Sequence, residues 1–366
     1  MILDDRQTHW EPDLPRLALQ VRAATGKSLA EQRSEIESLA EAPNMLLAGE
    51  YYYYRLYDDG CYAASEKRKF LGRRVQQKLV ASISGRWGGI VHDKLVFQTL
   101  LSAYGFPMPP VIATYDAHRS APGAAILRAS EDVARFLRSE EHYPLFGKPI
   151  DGMFSLGTVR LDDYERRSDT LGLANHVRVA VDPFVAELAR YRERGYLFQR
   201  AERPDPGIAA VCGNRLACVR LVTLMDPDAP SLFRVVWKVP AGPNVADNFW
   251  RDGNLLADID AQTGTVMRVV SGVGLEQQQI ERHPDTDAKM IGFAIPHWST
   301  VKQLCRDAAQ VIAGVSMQAW DVAVCDRGPV IIEANVGGAF NLPQLAAGAG
   351  LLDERFTRFL HQNGMS

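Results

Sequence analysis

The sequence is poor in cysteine, and its few cysteines show no metal-binding spacing. Among 366 residues there are five, and none of them form a C-x-x-C pair: Cys61, Cys212, Cys218, Cys305 and Cys325. A disulfide framework uses an even set of cysteines, and a zinc ribbon needs pairs separated by two residues. Both classes are therefore excluded, and we expect reduced thiols in a cytoplasmic protein.

Long apolar runs and a strong excess of one charge are also missing. No window approaches the roughly 18 uninterrupted apolar residues of a membrane span. The opening MILDDRQTHWEPDLP has acids where a leader peptide has basic and then apolar residues. The net charge is −3, and one short basic cluster, formed by residues 67–69 with Arg73 and Arg74, fits a solvated helix face. We therefore expect no membrane and no nucleic acid as a partner.

The sequence does contain helix and strand patterns in a composition typical of globular proteins, with 46% hydrophobic and 23% charged residues. Residues 15–43 predict helices broken near Gly26, and further helices are predicted over 181–195 and 300–314. Strand patterns fill most of the second half, including a hairpin at IDAQTGTV in which Gly264 supplies a positive φ. Antiparallel strands interspersed with helices indicate the α+β class.

Four consecutive tyrosines at positions 51–54 fit neither an amphipathic helix nor an alternating strand. Two interpretations stay open. The rings pack between the helical N-terminal part and the segments that follow, or they form a wall of a substrate pocket.

The segment WDVAVCDRGPVIIEANVGG, residues 320–338, places acids in an otherwise apolar hairpin. If three residues close the turn, with Gly328 in the left-handed conformation, Asp321 lies directly opposite Glu333. Side chains alternate between the two faces of a strand, so the remaining aliphatic residues should face a core. The predicted core face carries Val322, Val324, Val330 and Ile332.

The same alternation places Asn335 beside Glu333 and Asp321. Opposed Cβ atoms lie about 5 Å apart, so two carboxylates and an amide oxygen converge on one spot. Hard oxygen ligands of this kind suit Mg²⁺. The alternative is a hairpin end with partly solvated acids.

A candidate phosphate-binding segment occurs in YPLFGKPIDGMFSLGTVRL, where Lys148 is followed by Gly152 and Gly157. Glycines let backbone N–H groups approach phosphate oxygens, although an ordinary surface turn explains the pattern equally well. Lys94 follows the N-cap residue Asp93, so its positive charge lies at the unfavourable end of a helix dipole. This mismatch hints at a role, with a solvated lysine as the alternative.

Further polar residues interrupt the second half. Arg220 lies in the apolar segment ACVRLVTL and needs an anionic partner, which is either a reacting group or a structural carboxylate. Asp247, Asn248, Arg251 and His283 lie on predicted loops and are candidates for substrate binding. Ordinary turn chemistry and a solvent-exposed histidine are the alternatives.

The order of these segments resembles the ATP-grasp superfamily, specifically the sugar-transfer-associated ATP-grasp family. The matching blocks, over roughly residues 50–350, are DKLVF, GKPIDGMFSLGT, LFQRAERP, VRLVT, ADNFW, IDAQTG, HPDT, IGFAIPHW and WDVAVCDRGPVIIEAN. The resemblance implies an α+β fold in which two subdomains grip ATP, here preceded by a helical N-terminal region. The predicted boundaries are 1–85 for the helical region, 86–120 for a linker subdomain, 121–200 for a lid subdomain and 201–366 for a C-terminal subdomain with the metal site.

The resemblance also implies roles for individual residues. Those implied in ATP binding are Lys94, Lys148, Gly152, Ser155, Gly157, Gln199, Arg200, Ala201 and Asp205. The implied metal ligands, for Mg²⁺ or Mn²⁺, are Asp321, Glu333 and Asn335, and the implied catalytic residues are Arg220 and Lys148. The family's NTIR, HPDTG and the paired glycine after DNF are replaced here by ACVR, HPDTD and RDGN. These departures weaken the inference about the substrate more than the inference about ATP.

The activity implied by the resemblance is an ATP-dependent carboxylate–amine ligase that forms an amide through an acylphosphate. Its partners would be a small carboxylate and an amine, in natural-product or cell-surface glycan biosynthesis. Two alternatives stay open: an ATP-grasp kinase that phosphorylates a hydroxyl, and a non-catalytic nucleotide-binding protein. A homodimer also stays open.

Overall fold

The computed structural model describes residues 3, 12–85 and 87–365. Most of the N-terminal stretch on which the leader-peptide prediction depends lies outside these residues. The described chain forms thirteen α-helices and fourteen strands. The helices are α1 Leu14–Thr25, α2 Leu29–Ala40, α3 Ala48–Tyr53, α4 Ala64–Lys67, α5 Arg73–Ile83, α6 Gly88–His92, α7 Lys94–Ala103, α8 Ser130–Leu137, α9 Val181–Leu188, α10 Pro206–Cys212, α11 Trp298–Val311, α12 Asn341–Ala347 and α13 Glu354–Gln362.

The strands divide between two sheets of seven strands each. Those of the first sheet are β1 Val111–Tyr115, β2 Ala125–Leu127, β3 Leu145–Pro149, β4 Val159–Glu165, β5 Thr170–Leu173, β6 Arg178–Ala180 and β7 Tyr196–Arg200. Those of the second sheet are β8 Cys218–Met225, β9 Pro230–Val239, β10 Leu255–Ile259, β11 Val266–Ser271, β12 Gln278–Gln279, β13 Met317–Cys325 and β14 Gly328–Val336.

The first sheet has the order β2-β1-β7-β3-β4-β5-β6, with β1 and β2 parallel and the other pairs antiparallel. Helices α8 and α9 bury their apolar faces against it, because Phe136 and Phe184 share one buried cluster with Phe198 of β7. Helix α9 ends at Leu188 and continues as a 3-10 turn, so it is shorter than the helix predicted over 181–195. Strand β3 carries Lys148 next to its last residue.

The second sheet is antiparallel throughout, in the order β12-β11-β10-β9-β8-β13-β14. Helix α11 presents Val301, Cys305 and Ala308 at spacings of four and three residues, which lie on one helical face. These residues pack with Trp237 and Trp320 in the largest buried cluster. One face of the sheet is therefore core, and the other is free to carry polar groups.

The N-terminal helices pack against strands β9, β10 and β11 of the second sheet. Gly26 ends α1 with φ 79°, where the sequence predicted a break, and α2 follows at once. The tyrosine run forms the end of α3 and the turn after it. Its members Tyr51, Tyr52 and Tyr54 are buried in a cluster that also contains Val236, Leu256 and Leu345. The packing interpretation of this run is confirmed for these three rings.

The β13–β14 hairpin brings the two predicted acids together by an unexpected route. Asp321 lies directly opposite Glu333, as predicted. The turn, however, contains two residues (326–327), not three. A bulge at Ile332 supplies the one-residue shift that was expected from the turn.

This bulge corrects the predicted core face of the second strand. Val322 pairs with Ile331, and both lie in the core with Val324. Val330 and Ile332 instead pack on the opposite face, against a small apolar cluster that contains Cys218, Ala323 and Cys325. The prediction that Val330 and Ile332 face the main core was therefore wrong, because it assumed a regular strand.

The two-sheet architecture with N-terminal helices confirms the predicted α+β fold class. Strand β1 falls within the predicted linker 86–120 yet belongs to the first sheet, and the domain boundaries stay predictions. All five cysteines are free thiols, and Cys61 is the exposed one. Among the described helices, none combines the length and apolar character needed to cross a bilayer.

Candidate functional site

The polar face of the second sheet carries a row of charged residues on adjacent strands. Arg220 on β8 pairs with Asp321 on β13, and Asp321 pairs with Glu333 on β14. Lys238, near the end of β9, adds a second cation beside this row. We call this surface the site face.

Asp321 is the most heavily paired member of the row. Its Oδ1 accepts from Nε of Arg220 at 2.7 Å, and its Oδ2 accepts from a terminal guanidinium nitrogen at 2.7 Å and from Nζ of Lys238 at 3.0 Å. Burial alone would raise the pKa of this carboxyl, but the two cations outweigh burial and hold the pKa well below its usual range. Asp321 is therefore a carboxylate at any ordinary pH.

These ion pairs revise one argument from the sequence. The sequence predicted converging carboxylates that suit Mg²⁺, whereas Asp321 is already neutralised by Arg220 and Lys238. Of the two anionic partners left open for Arg220, the structure shows a carboxylate of the protein, Asp321. Lys238 was not predicted, although it shows the same signal as Arg220, a charge inside the apolar strand segment LFRVVWKVP.

Glu333 and Asn335 are in the opposite situation. Glu333 forms no hydrogen bond or ion pair with any residue in the described part of the chain, and the buried Nδ2 of Asn335 has no partner there. A buried N–H donor without a partner is costly, so Nδ2 of Asn335 needs an acceptor such as a phosphate oxygen or water, and its amide oxygen is the atom suited to a metal. Asp321 Oδ1 also retains a lone pair for a further contact.

The donor set fits a hard divalent cation with few protein ligands. It consists of two carboxylates and one amide. Within residues 12–85 and 87–365 no group of three or more His, Cys, Asp or Glu side chains is arranged to hold a metal by itself. Mg²⁺ commonly uses one or two carboxylates and completes its shell with water and phosphate oxygens. Of the three side chains, Glu333 has the fewest contacts within the protein. Asn335 and Asp321 lie on the same face of the sheet as Glu333.

Lys148 is a buried cation without a partner. Its side chain is 5% exposed, and it makes no hydrogen bond or ion pair with the described residues. Burial lowers its pKa to about 8; Glu333 opposes this effect, and Lys94 adds to it. Lys148 therefore lies near both Lys94 and Glu333, with its ammonium available to an anion.

The glycine-rich loop, residues 152–157, covers this side of the site. Lys94 at the start of α7 donates to the Gly152 carbonyl, so the two predicted phosphate-binding elements are in contact. Ser155 has φ 57° and Gly157 has φ 70°. A Cβ on Gly157 would lie 2.2 Å from the Tyr191 hydroxyl, which explains why glycine is needed there.

The loop over residues 241–254 approaches the same loop from the other side. Asn248 donates to the Phe154 carbonyl at 2.9 Å, and Arg251 donates to the Ser155 carbonyl at 3.4 Å. Asp247 accepts from the Cys218 amide at 2.9 Å and lies 3.4 Å from Nζ of Lys238. Three of the four predicted substrate residues therefore border the site.

His283 lies apart from these contacts. It is 1% exposed, its Nε2 lies 3.0 Å from the Pro240 carbonyl, and its Nδ1 accepts from the Asp285 amide at 3.2 Å. The alternative of a solvent-exposed histidine is wrong. Both ring nitrogens contact main-chain atoms, so its role in substrate binding stays a prediction that no contact supports.

Four residues implied in ATP binding, Gln199, Arg200, Ala201 and Asp205, lie at the end of β7 and just after it. Gln199 is buried and donates to Gln98 at 2.6 Å. The amides of Arg200 and Ala201 donate to the carbonyls of Pro110 and Pro144. Asp205 caps α10 by accepting from the Gly207 amide at 2.7 Å. These amides and Asp205 already have partners, so the nucleotide roles of these residues stay predictions.

Comparison with solved structures finds several ligases to which the chain is similar. The chain is similar to D-alanine–D-alanine ligase from Coxiella burnetii, with 12% identity, a TM-score of 0.42, and coverage of 75% of this chain and 58% of that one. It is also similar to the corresponding ligase from Bacillus anthracis, with 12% identity, a TM-score of 0.42, and coverage of 79% and 76%. The chain is similar as well to the ATP-grasp ligase PsnB, solved with Mg and ADP, with 15% identity, a TM-score of 0.40, and coverage of 80% of this chain and 68% of that one.

The chain thus spans 58% of the length of the Coxiella enzyme. The comparison with curated proteins gives no match. A family model described as sugar-transfer associated ATP-grasp matches residues 84–358, which is most of the chain and includes both sheets. The chain therefore belongs to the sugar-transfer associated ATP-grasp family.

Proposed function

We propose that the protein is an ATP-dependent carboxylate–amine ligase that uses Mg²⁺ and forms an amide bond. Its substrates are a small carboxylate and an amine, and the pathways that fit are natural-product or cell-surface glycan biosynthesis. Family membership supports ATP as the cofactor. The names of the similar solved structures, which are ligases, are consistent with the reaction class.

The observation that carries the proposal is the arrangement of Lys148 and Glu333. One is a buried cation and the other a carboxylate, and neither has a partner in the described chain. A metal-bound polyphosphate satisfies both at once, because its oxygens take the ammonium and its cation takes the carboxylate. Asn335, with a buried amide nitrogen that lacks a partner, borders the same space.

In the proposed reaction the substrate carboxylate attacks the γ-phosphorus of ATP. The bond to the bridging oxygen breaks, and ADP leaves with the electron pair. The amine then attacks the acyl carbon of the acylphosphate, loses a proton and displaces phosphate. The protein forms no covalent bond, so its contribution is positioning and charge neutralisation.

Each residue has a defined part in this scheme. Lys148 and Lys94 bind the phosphates of ATP. To do so, Lys94 gives up its hydrogen bond to the Gly152 carbonyl and binds a phosphate oxygen instead. Arg220 is fixed by its two bonds to Asp321, which leaves its remaining nitrogen to face developing negative charge. Glu333, Asn335 and Asp321 would hold Mg²⁺, which would neutralise phosphate charge.

The experiment is to measure ADP release against pooled carboxylates and amines, followed by mass spectrometry of the product. Loss of water between two substrates supports the ligase, and a gain of one phosphate on one substrate indicates a kinase. Glu333→Ala should reduce turnover by at least ~10²-fold, as expected for one preorganised electrostatic group. Failure to bind Mg-ATP in calorimetry would favour a non-catalytic protein.

A further inference from the structure

Lys238 lies between two carboxylates that belong to different parts of the site. Its Nζ is 3.0 Å from Oδ2 of Asp321 on β13 and 3.4 Å from Oδ1 of Asp247 in the loop 241–254. The Lys238 side chain is 9% exposed, and the two acids are 2% and 14% exposed. One buried ammonium is thus shared by a predicted metal ligand and a predicted substrate residue.

The other partners of these acids are fixed, which leaves Lys238 as the movable member. Arg220 binds Asp321 through two nitrogens at 2.7 Å, a geometry that holds both planar groups in place. Asp247 is held by the backbone amide of Cys218 at 2.9 Å. Lysine, by contrast, carries a point charge on a flexible four-carbon stem.

We propose that Lys238 is a positioning residue that neutralises Asp321 until a divalent cation arrives and then transfers to Asp247. The transfer needs no new space, because the ammonium already lies within ion-pair distance of both acids. A cation at Asp321 repels the ammonium, and Asp247 is the acceptor that receives it. This inference rests on the metal site of the proposed function.

The transfer has a consequence for the loop 241–254. Asp247 precedes Asn248 and Arg251, which hold the carbonyls of Phe154 and Ser155 in the glycine-rich loop. An ammonium that moves onto Asp247 anchors this part of the loop more firmly. Occupation of the metal site is thereby communicated to the segment that contacts the glycine-rich loop.

The test is Mn²⁺ binding to the full-length protein, measured as free Mn²⁺ by electron paramagnetic resonance. Asp247→Asn confines Lys238 to Asp321, where it competes with the metal, so Mn²⁺ affinity should fall by about ten- to hundredfold. Lys238→Met removes the competitor and should raise Mn²⁺ affinity. In the double variant the effect of Asp247→Asn should disappear, because the two residues act through one contact.

Asp285→Asn is the matched control, since Asp285 pairs with Arg215 at 2.6 Å and accepts from the Gly242 amide without reaching Lys238. It should leave Mn²⁺ affinity unchanged. Thermal unfolding without metal shows which variants fold. If Asp247→Asn does not fold, the rise in Mn²⁺ affinity expected for Lys238→Met tests the proposal by itself. The inference is overturned if both substitutions lower affinity, as loss of structure would, or if Asp247→Asn changes nothing.

Glu333→Gln separates this inference from the proposed function. If Glu333→Gln abolishes Mn²⁺ binding while Asp247→Asn has no effect, the metal site stands and the role of Lys238 is refuted. If Glu333→Gln leaves Mn²⁺ binding intact, the metal site itself is wrong.

Discussion

Replacing Lys148 by methionine should stabilise the protein while abolishing its nucleotide binding. Burial lowers the pKa of Lys148 from 10.5 to about 8. Each pKa unit corresponds to about 1.36 kcal/mol, so keeping this side chain charged in the folded protein costs ~3 kcal/mol. Methionine has a similar length and no charge, and it removes this cost.

The pH dependence follows from the sign of the shift. Below pH 8 the residue is charged in both the folded and the unfolded states, so the full cost is present. Between pH 8 and 10.5 the folded state has lost the proton and the unfolded state keeps it, so the cost declines. The advantage of Lys148→Met should therefore be largest at pH 7 and small at pH 10.

Urea unfolding of the wild type and Lys148→Met at the two pH values measures this difference. Lys78→Met is the matched control, because Lys78 is exposed and its replacement should change the free energy of unfolding by less than about 0.5 kcal/mol. With Mg-ATP at about 1,000 times its Kd the order should reverse, since binding then stabilises the wild type by about 4.1 kcal/mol, more than the advantage of the variant. A Lys148→Met variant less stable than the wild type at pH 7 would refute the reasoning.

Three further experiments test other parts of the structure. Asp321→Asn removes the carboxylate that binds Arg220, while Lys238 keeps Asp247, and should lower the free energy of unfolding by about 3–5 kcal/mol in urea unfolding. Glu333→Gln should leave the free energy of unfolding nearly unchanged. Gly157→Ala should lower the melting temperature because its Cβ would meet a tyrosine hydroxyl at 2.2 Å, while Gly152→Ala, with no contact closer than 3.1 Å, should not. Burial lowers the pKa of His283, so below pH 6.5 the unfolded state binds a proton that the folded state does not, and stability should fall. The difference in melting temperature between pH 7.5 and pH 5.5 should therefore be smaller for His283→Gln than for the wild type.

Periodicity and turn chemistry in the sequence were sufficient for the fold class and for the main candidates of the site face. The break at Gly26 and the hairpin at Gly264 occur where they were expected, because a positive φ leaves a clear residue signature. The pairing of Asp321 with Glu333 was predicted correctly from a wrong turn length. A three-residue turn and a two-residue turn with a bulge shift the register equally, and the sequence does not distinguish them.

The partners of individual charges could not be predicted in the same way. Lys238 and Asp321 are 83 residues apart in the chain, and their contact depends on β9 and β13 flanking β8. The burial of His283 likewise depends on how a turn packs against the end of β9, which no local pattern encodes. Strand order, rather than strand propensity, decides which charges meet.

The bulge residue Ile332 contributes to the apolar surroundings of the two acids but is not needed to place them opposite each other. Removing this single residue would leave Asp321 opposite Glu333 in a regular hairpin, because Ile331 and Val322 already pair in that register. It would also take away an isoleucine that packs beside the acids, against the cluster of Cys218, Ala323, Cys325 and Val330. A one-codon deletion could therefore change the polarity around the metal ligands without moving them apart, which offers a way to tune their affinity.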